Sequence, residues 1–164
     1  MTRPATTYET AARKGSSFGL LLLSCALLGA CNLKSDTALT SIFEVHSEGF
    51  ENLVGMSKSD PGVARIQVKD TPPPNSPFSR KRWDAYQSLF HDLGLKGGME
   101  RREDFPSGIF LIEECSGTAI THDCKGYVYS EEPLAPLQEN LDGPPAKVAF
   151  RPLAHNWFLF RDDG

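Results

Sequence analysis

The sequence predicts one α+β domain over residues 40–164, a mostly antiparallel sheet of five or six strands with one main helix packed on one face. Three observations predict it. Short apolar runs with strand-like alternation recur from residue 41 to residue 160, broken by Gly, Pro, Asn and Asp. A single stretch, Ser79 to Leu93, has helical spacing between its apolar residues. Two pairs of apolar runs, Ile109 to Ile112 with Gly126 to Tyr129 and Lys147 to Arg151 with Trp157 to Phe160, read as hairpins, so their strands should run antiparallel.

In chain order, Ser41 to Glu48 alternates, with Phe43 and Val45 on one side and Glu44, His46 and Glu48 on the other, and reads as a half-buried strand ended by Gly49-Phe50-Glu51-Asn52. Asp60-Pro61-Gly62 is a turn. After it Ala64, Ile66 and Val68 alternate with Arg65, Gln67 and Lys69, the clearest amphipathic strand in the chain. Thr71 to Pro77 holds four prolines, which remove four backbone donors and fix φ, so it is a rigid connector. The helix follows. Ser79 is its N-cap, Trp83, Tyr86, Phe90 and Leu93 line one face with Leu89 beside them, and Gly94-Leu95 forms the C-terminal cap and its apolar latch. Arg80-Lys81-Arg82 sits in the first turn, where positive charge opposes the helix dipole. It reads as a solvated turn with neighbouring acids, with a basic patch for phosphate or an acidic partner as the rival reading.

Gly97-Gly98 to Pro106 reads as a charged connector. Ile109-Phe110-Leu111-Ile112 is apolar on both faces, as a central strand should be, and Gly126-Tyr127-Val128-Tyr129 is its returning partner. Glu131 to Pro145 holds four more prolines and reads as a long surface loop, with one turn of helix expected near Leu137 to Leu141. Lys147 to Arg151, a bend at Pro152 to His155 and Trp157 to Phe160 make a second hairpin. Its aromatic strand must be docked in the sheet, since an exposed one invites aggregation.

The first 30 residues are different in kind. Arg3, Arg13 and Lys14 against one acid, Glu9, lead into the apolar block Phe18 to Ala30, which ends in small residues. That is the grammar of a secretory signal, and the block is too short for a hydrocarbon core that takes about 20 residues. Leu28-Gly29-Ala30-Cys31 resembles the lipobox of bacterial lipoproteins. The resemblance implies that residues 1–30 are cleaved, that Cys31 carries a diacylglyceryl thioether, usually with a further acyl chain on the new amino terminus, and that residues 31–39 are a lipidated tether. Two or three acyl chains hold a protein durably where one holds marginally. Asn32 stands where an inner-membrane retention signal commonly has Asp, which implies attachment to the outer membrane, facing the periplasm. Trp83-Asp84-Ala85-Tyr86, Leu93-Gly94-Leu95, Lys125-Gly126-Tyr127 and Asn156 to Phe160, behind a lipobox, resemble small uncharacterised lipoproteins of proteobacteria. That likeness brings an address and no activity.

Residues 31–164 keep 14 of the 17 Lys and Arg and 20 of the 21 Asp and Glu, 14 against 20, or a net charge of −6. An acidic balance argues against nucleic acid as a partner. Cys25 lies inside the apolar block, and besides Cys31 two cysteines remain, Cys115 and Cys124. They bracket eight residues between two strand-like runs, and an exported address permits oxidation, so they are read as a disulfide stapling a hairpin.

The residues carry no catalytic, cofactor-binding or metal-binding grammar. Of His46, His91, His122 and His155, only His46 shares a predicted strand face with acids, Glu44 and Glu48, and such a triplet is read as the wet face of an edge strand. His91 suits a helix C-terminus, and His122-Asp123 belongs to the hairpin tip. Ser116-Gly117 lacks a nucleophile-elbow context, and Gly94, Gly97 and Gly98 follow a helix where a phosphate loop would open one. The expected role is a non-enzymatic binding or accessory module that meets an envelope protein or glycan through Thr118 to Asp123 and Glu131 to Pro145. The rivals are an inhibitor of an exogenous enzyme and an enzyme whose site is assembled from distant residues.

Overall fold

A computed structural model describes residues 33–69, 71–72, 75–76, 78–117, 122–143 and 147–164. The elements run α1 (Asp36–Ser59), β1 (Arg65–Ile66), α2 (Arg80–Asp92), β2 (Gly98–Arg102), β3 (Phe105–Gly117), β4 (His122–Tyr129), β5 (Val148–Ala154) and β6 (Trp157–Asp163). The six strands form one antiparallel sheet in the order β1-β2-β3-β4-β6-β5. The α+β class and the mostly antiparallel sheet are as the sequence predicts. Among the described residues a second helix joins the expected main one.

The largest correction is α1. Ser41 to Glu48, expected as a strand, lies inside this 24-residue helix, which begins at Asp36 and so also takes in the last residues of the expected tether. Its buried residues, Leu39, Phe43, Phe50, Leu53, Val54 and Ser57, recur at helical intervals, while Val45, assigned to the buried side of the supposed strand, is 76% exposed. Gly49 does not break it. A Cβ there would stand 2.9 Å from Leu93 Cδ2, so the glycine lets α1 lie close against the end of α2. The helix does bend at His46, whose φ and ψ of −116° and 21° leave the helical region.

The second helix has the predicted bounds. The Ser79 hydroxyl accepts from Arg82 N–H, and the Leu95 and Gly94 amides donate to the Phe90 and His91 carbonyls with Gly94 at φ 70°, a Schellman cap. Trp83, Tyr86 and Phe90 face inward. Both helices cover the same face of the sheet, over Ile109, Leu111, Tyr127, Trp157 and Leu159. The other face carries a separate aromatic cluster of Phe110, Phe150 and Phe160, with Phe105 packed on it.

Both sheet edges are blunted. At one edge, β1 pairs only through Arg65 and Ile66, shorter than the Ala64 to Lys69 strand expected, because the Gln87 side chain of α2 takes the next backbone groups: it donates to Gln67 O and accepts from Lys69 N–H. At the other edge, Pro136 to Gln138 covers β5, with Gln138 N–H donating to Phe150 O and Phe150 N–H to Pro136 O. That segment is extended, so the helical turn expected near Leu137 to Leu141 is absent. The expected connector Gly97 to Pro106 contains β2 and starts β3, and the bend of the last hairpin is at His155-Asn156, with Asn156 at φ 60°.

Candidate functional site

The end of the sheet where α1 begins gathers four of the six buried polar or charged side chains among the described residues, Asp36, Glu113, Lys125 and Arg161. Lys125 and Arg161 stand opposite each other on β4 and β6, under the start of α1, where two cations would repel. Three acids, Asp36, Asp142 and Asp123, offset them. Lys125 Nζ lies 2.7 Å from Asp36 Oδ1 and 2.8 Å from Asp142 Oδ1, with Lys125 1% exposed. Arg161 holds the Asp123 carboxylate with two nitrogens, at 2.9 and 2.6 Å, and donates to Leu141 O. Asp36 N–H donates to Asp142, Leu141 N–H donates to Asp36, and Lys34 pairs with the buried Glu113. The hydrogen bond from Lys125 holds the Asp142 carboxyl below its ordinary range. A cavity of about 310 Å³, lined by Leu33, Ser35, Lys125, Asp142 and Arg161, opens beside this cluster. Every charge there already faces an opposite one, so the arrangement is a latch for the start of α1.

Glu113 is held at a bulge, the extra residue between the pairs Ile112↔Gly126 and Glu114↔Lys125. Gly126 is required there, since a Cβ would lie 2.2 Å from Leu111 O. Beyond the bulge Cys115 and Cys124 stand directly opposite and form the expected disulfide, with Cα atoms 4.0 Å apart. On the face away from the helices this cystine walls a depression of about 370 Å³ together with Arg65, Glu100, Arg102, Ile112 and His122. Arg102 stacks 4.3 Å from the Phe110 ring centre and pairs with Glu100 and Asp162, while Arg65 approaches Glu100 only to 3.7 Å. Two further depressions, of about 230 and 280 Å³, adjoin Arg65 around the β1 edge and share Gln67 and Lys69 with each other.

The residues singled out from the sequence are dispersed. Cys31 and Thr118 to Thr121 lie outside the described residues. Glu44, His46 and Glu48 are exposed on a helix, where His46 no longer shares a face with the two acids, so the strand-face triplet does not form. His91 is exposed beside Asp92, His155 is exposed in the last turn, and His122 lines the cystine depression. Arg80 pairs with Asp84 and Arg82 with Asp60, which is the solvated-turn reading of that basic triplet. Burial would push the Asp60 carboxyl up, but hydrogen bonds from Tyr86 and Arg82 outweigh it and hold it low. The loop after β4 is docked rather than free: Leu134 and Leu141 are buried, and Glu131 pairs with Lys58.

In the sequence Arg102 and Lys96 carry no site signal, and Arg65 and Lys69 show only the wet side of a strand. Their alternation with Ile66 was visible; their meeting with Lys96 and Arg102 depends on strand pairing. No family model, no curated protein and no solved structure matches the chain.

Proposed function

We propose that this is a lipid-anchored cell-envelope protein, held on the outer membrane and facing the periplasm, whose folded domain is a non-enzymatic binding or accessory module. The observation that carries the reading is the lipobox-like Leu28-Gly29-Ala30-Cys31 placed five residues before the start of α1. Supporting it, Lys34 and Asp36 are tied to β3 and β4, so an anchor at Cys31 would hold the domain by a buried latch. The cystine suits an oxidising compartment.

The test is the intact mass of protein extracted from membranes. The expected species begins at Cys31 and carries diacylglyceryl and acyl groups, and Cys31→Ala leaves an unprocessed precursor. A chain that still begins at Met1 without lipid refutes the anchor. In vivo crosslinking of the lipidated protein then tests the module: one recurrent envelope protein or glycan adduct is expected, and its absence from abundant anchored protein refutes a macromolecular partner.

A further inference from the structure

We propose that the β1 edge is a binding site for a phosphate-type oxyanion, a tetrahedral group carrying up to two negative charges. This deepens the binding-module reading and rests on it. It does not depend on the lipid.

Arg65 is the residue common to the three adjoining depressions at this edge, of about 370, 230 and 280 Å³. Four cations line them: Arg65 from β1, Lys69 from the segment after it, Lys96 from the turn before β2 and Arg102 from β2. One carboxylate, Glu100, lines them too. Glu114 and Asp162 pair with Lys96 and Arg102 from outside the lining. Two of the four, Arg65 and Lys69, have no hydrogen-bonded carboxylate among the described residues. Arg65 is 58% exposed and reaches Glu100 only at 3.7 Å, too far for a good hydrogen bond, and the Lys69 ammonium has no acid within ion-pair distance among the described residues.

A second observation points to an acceptor. Trp83, 3% exposed, lines the depression that Arg65 and Lys69 share with Ile66, and its indole N–H has no hydrogen-bond partner among the described residues. A buried donor left unpaired is costly, so an oxygen that reached it would be favoured. Cations supplied by separate segments, with Arg65 lining all three depressions, suit a tetrahedral group that accepts from several directions better than a single planar carboxylate. The backbone at this edge is fixed from both sides, by Gln87 and by the pairing with β2, so the site is preformed.

Phosphate of this kind can come from a free phosphorylated solute or from an anionic lipid headgroup, and the experiment separates them. The full chain in a non-ionic detergent is titrated at low salt with inorganic phosphate, then with micelles doped with phosphatidylglycerol, while NMR follows the Arg65 side chain and the Trp83 indole. Saturable shifts are expected, weakened about tenfold by Arg65→Gln or Lys69→Gln and by added salt, and unchanged by Lys147→Gln at the far edge. Saturation by inorganic phosphate assigns the site to a soluble ligand; saturation only by the doped micelles assigns it to a headgroup. No saturation with either probe overturns the proposal. So does saturation that both substitutions leave intact in variants whose near-UV circular dichroism shows them folded. The mass of the mature protein, which tests the anchor, is untouched by these substitutions, so the two readings fail separately.

Discussion

Replacing Lys125 with Met should be among the most damaging single changes in the polar part of this fold. The ammonium lies 2.7 Å from Asp36 and 2.8 Å from Asp142, with Lys125 and Asp36 side chains only 1% and 6% exposed. Met fills nearly the same volume, so the cost is electrostatic: Asp36 is left as a buried carboxylate without its nearest cation. Removing one member of a buried pair typically costs about 3–5 kcal/mol. Here Leu141 N–H still donates to Asp36 at 2.9 Å and Arg151 remains at 3.4 Å. The expected value is therefore the lower end, about 3 kcal/mol, or roughly a 10 °C fall in Tm for a domain of this size. Urea denaturation followed by the fluorescence of the buried Trp83 and Trp157 measures it. The double variant Asp36→Asn, Lys125→Met keeps an acceptor for Leu141 and leaves no buried carboxylate without its cation, the charges that lose a partner, Asp142 and Arg151, being partly exposed, so it should cost at least about 1.5 kcal/mol less than the two singles added. Asp142 adds a pH signature. Its carboxyl is held low chiefly by the hydrogen bond from Lys125, so that stabilisation is present above its ordinary value of 3.8 and is lost as pH falls below it. The gap between wild type and Lys125→Met should narrow in acid. A single variant costing under about 1 kcal/mol, or strictly additive singles, would refute the latch.

Three further outcomes follow from other parts of the structure. Reducing the Cys115–Cys124 bridge, which spans nine residues, should cost about 2.6 kcal/mol by loop entropy; an unchanged urea midpoint in reductant would show the hairpin is held without it. Gly98→Ala should destabilise by at least about 2 kcal/mol and speed hydrogen exchange at Ile66 and Met99, because Gly98 has φ 86° and its Cβ would lie 2.2 Å from Ile66 O. It should also abolish the phosphate response, since it displaces β1. Finally, Tyr86 and Tyr127 have phenols pushed well above their ordinary value of 10, both chiefly by burial and secondarily by Asp60 and Glu113 respectively. A raised value means stability present in full below pH 10 and lost as pH climbs toward the folded values. Absorbance at about 295 nm should show these two ionising only as the domain unfolds; free titration near pH 10 in the folded state would contradict their burial.

The elements legible in the sequence are those whose determinants are local. The second helix carries its own N-cap at Ser79, its own apolar face and its own Gly94-Leu95 cap, so no neighbour is needed to recognise it. The cystine hairpin is similar: an apolar run on each side and two cysteines at a spacing that places them opposite each other. The first helix fails this test in an instructive way. Over eight residues Phe43 and Val45 imitate a strand, and only the longer run from Leu39 to Ser57 exposes the helical interval. Gly49 looks like a breaker because its purpose, close approach to Leu93, lies some 44 positions away in sequence. The strand β2 is hidden by Glu100-Arg101-Arg102, whose charges are used elsewhere: Arg101 donates to Ser57 at the end of α1, and Arg102 lies across Phe110 and pairs with Asp162.

The same reasoning explains why the β1 edge could not be found from one dimension. Arg65 and Lys69 alternate with apolar residues as any solvated strand face does, and Lys96 follows the Gly94-Leu95 helix cap as any basic residue can. What makes them a site is strand pairing that sets Arg65 beside Glu100, and a helix that puts Trp83 behind the edge with its N–H unpaired among the described residues. The edge also explains a feature that is odd for stability alone. A two-residue strand held by a glutamine side chain is a weak way to end a sheet, and an apolar strand of ordinary length would be stronger. Keeping it short leaves the cations of Arg65 and Lys69 unshielded by a further strand, which is what an oxyanion site at this edge requires.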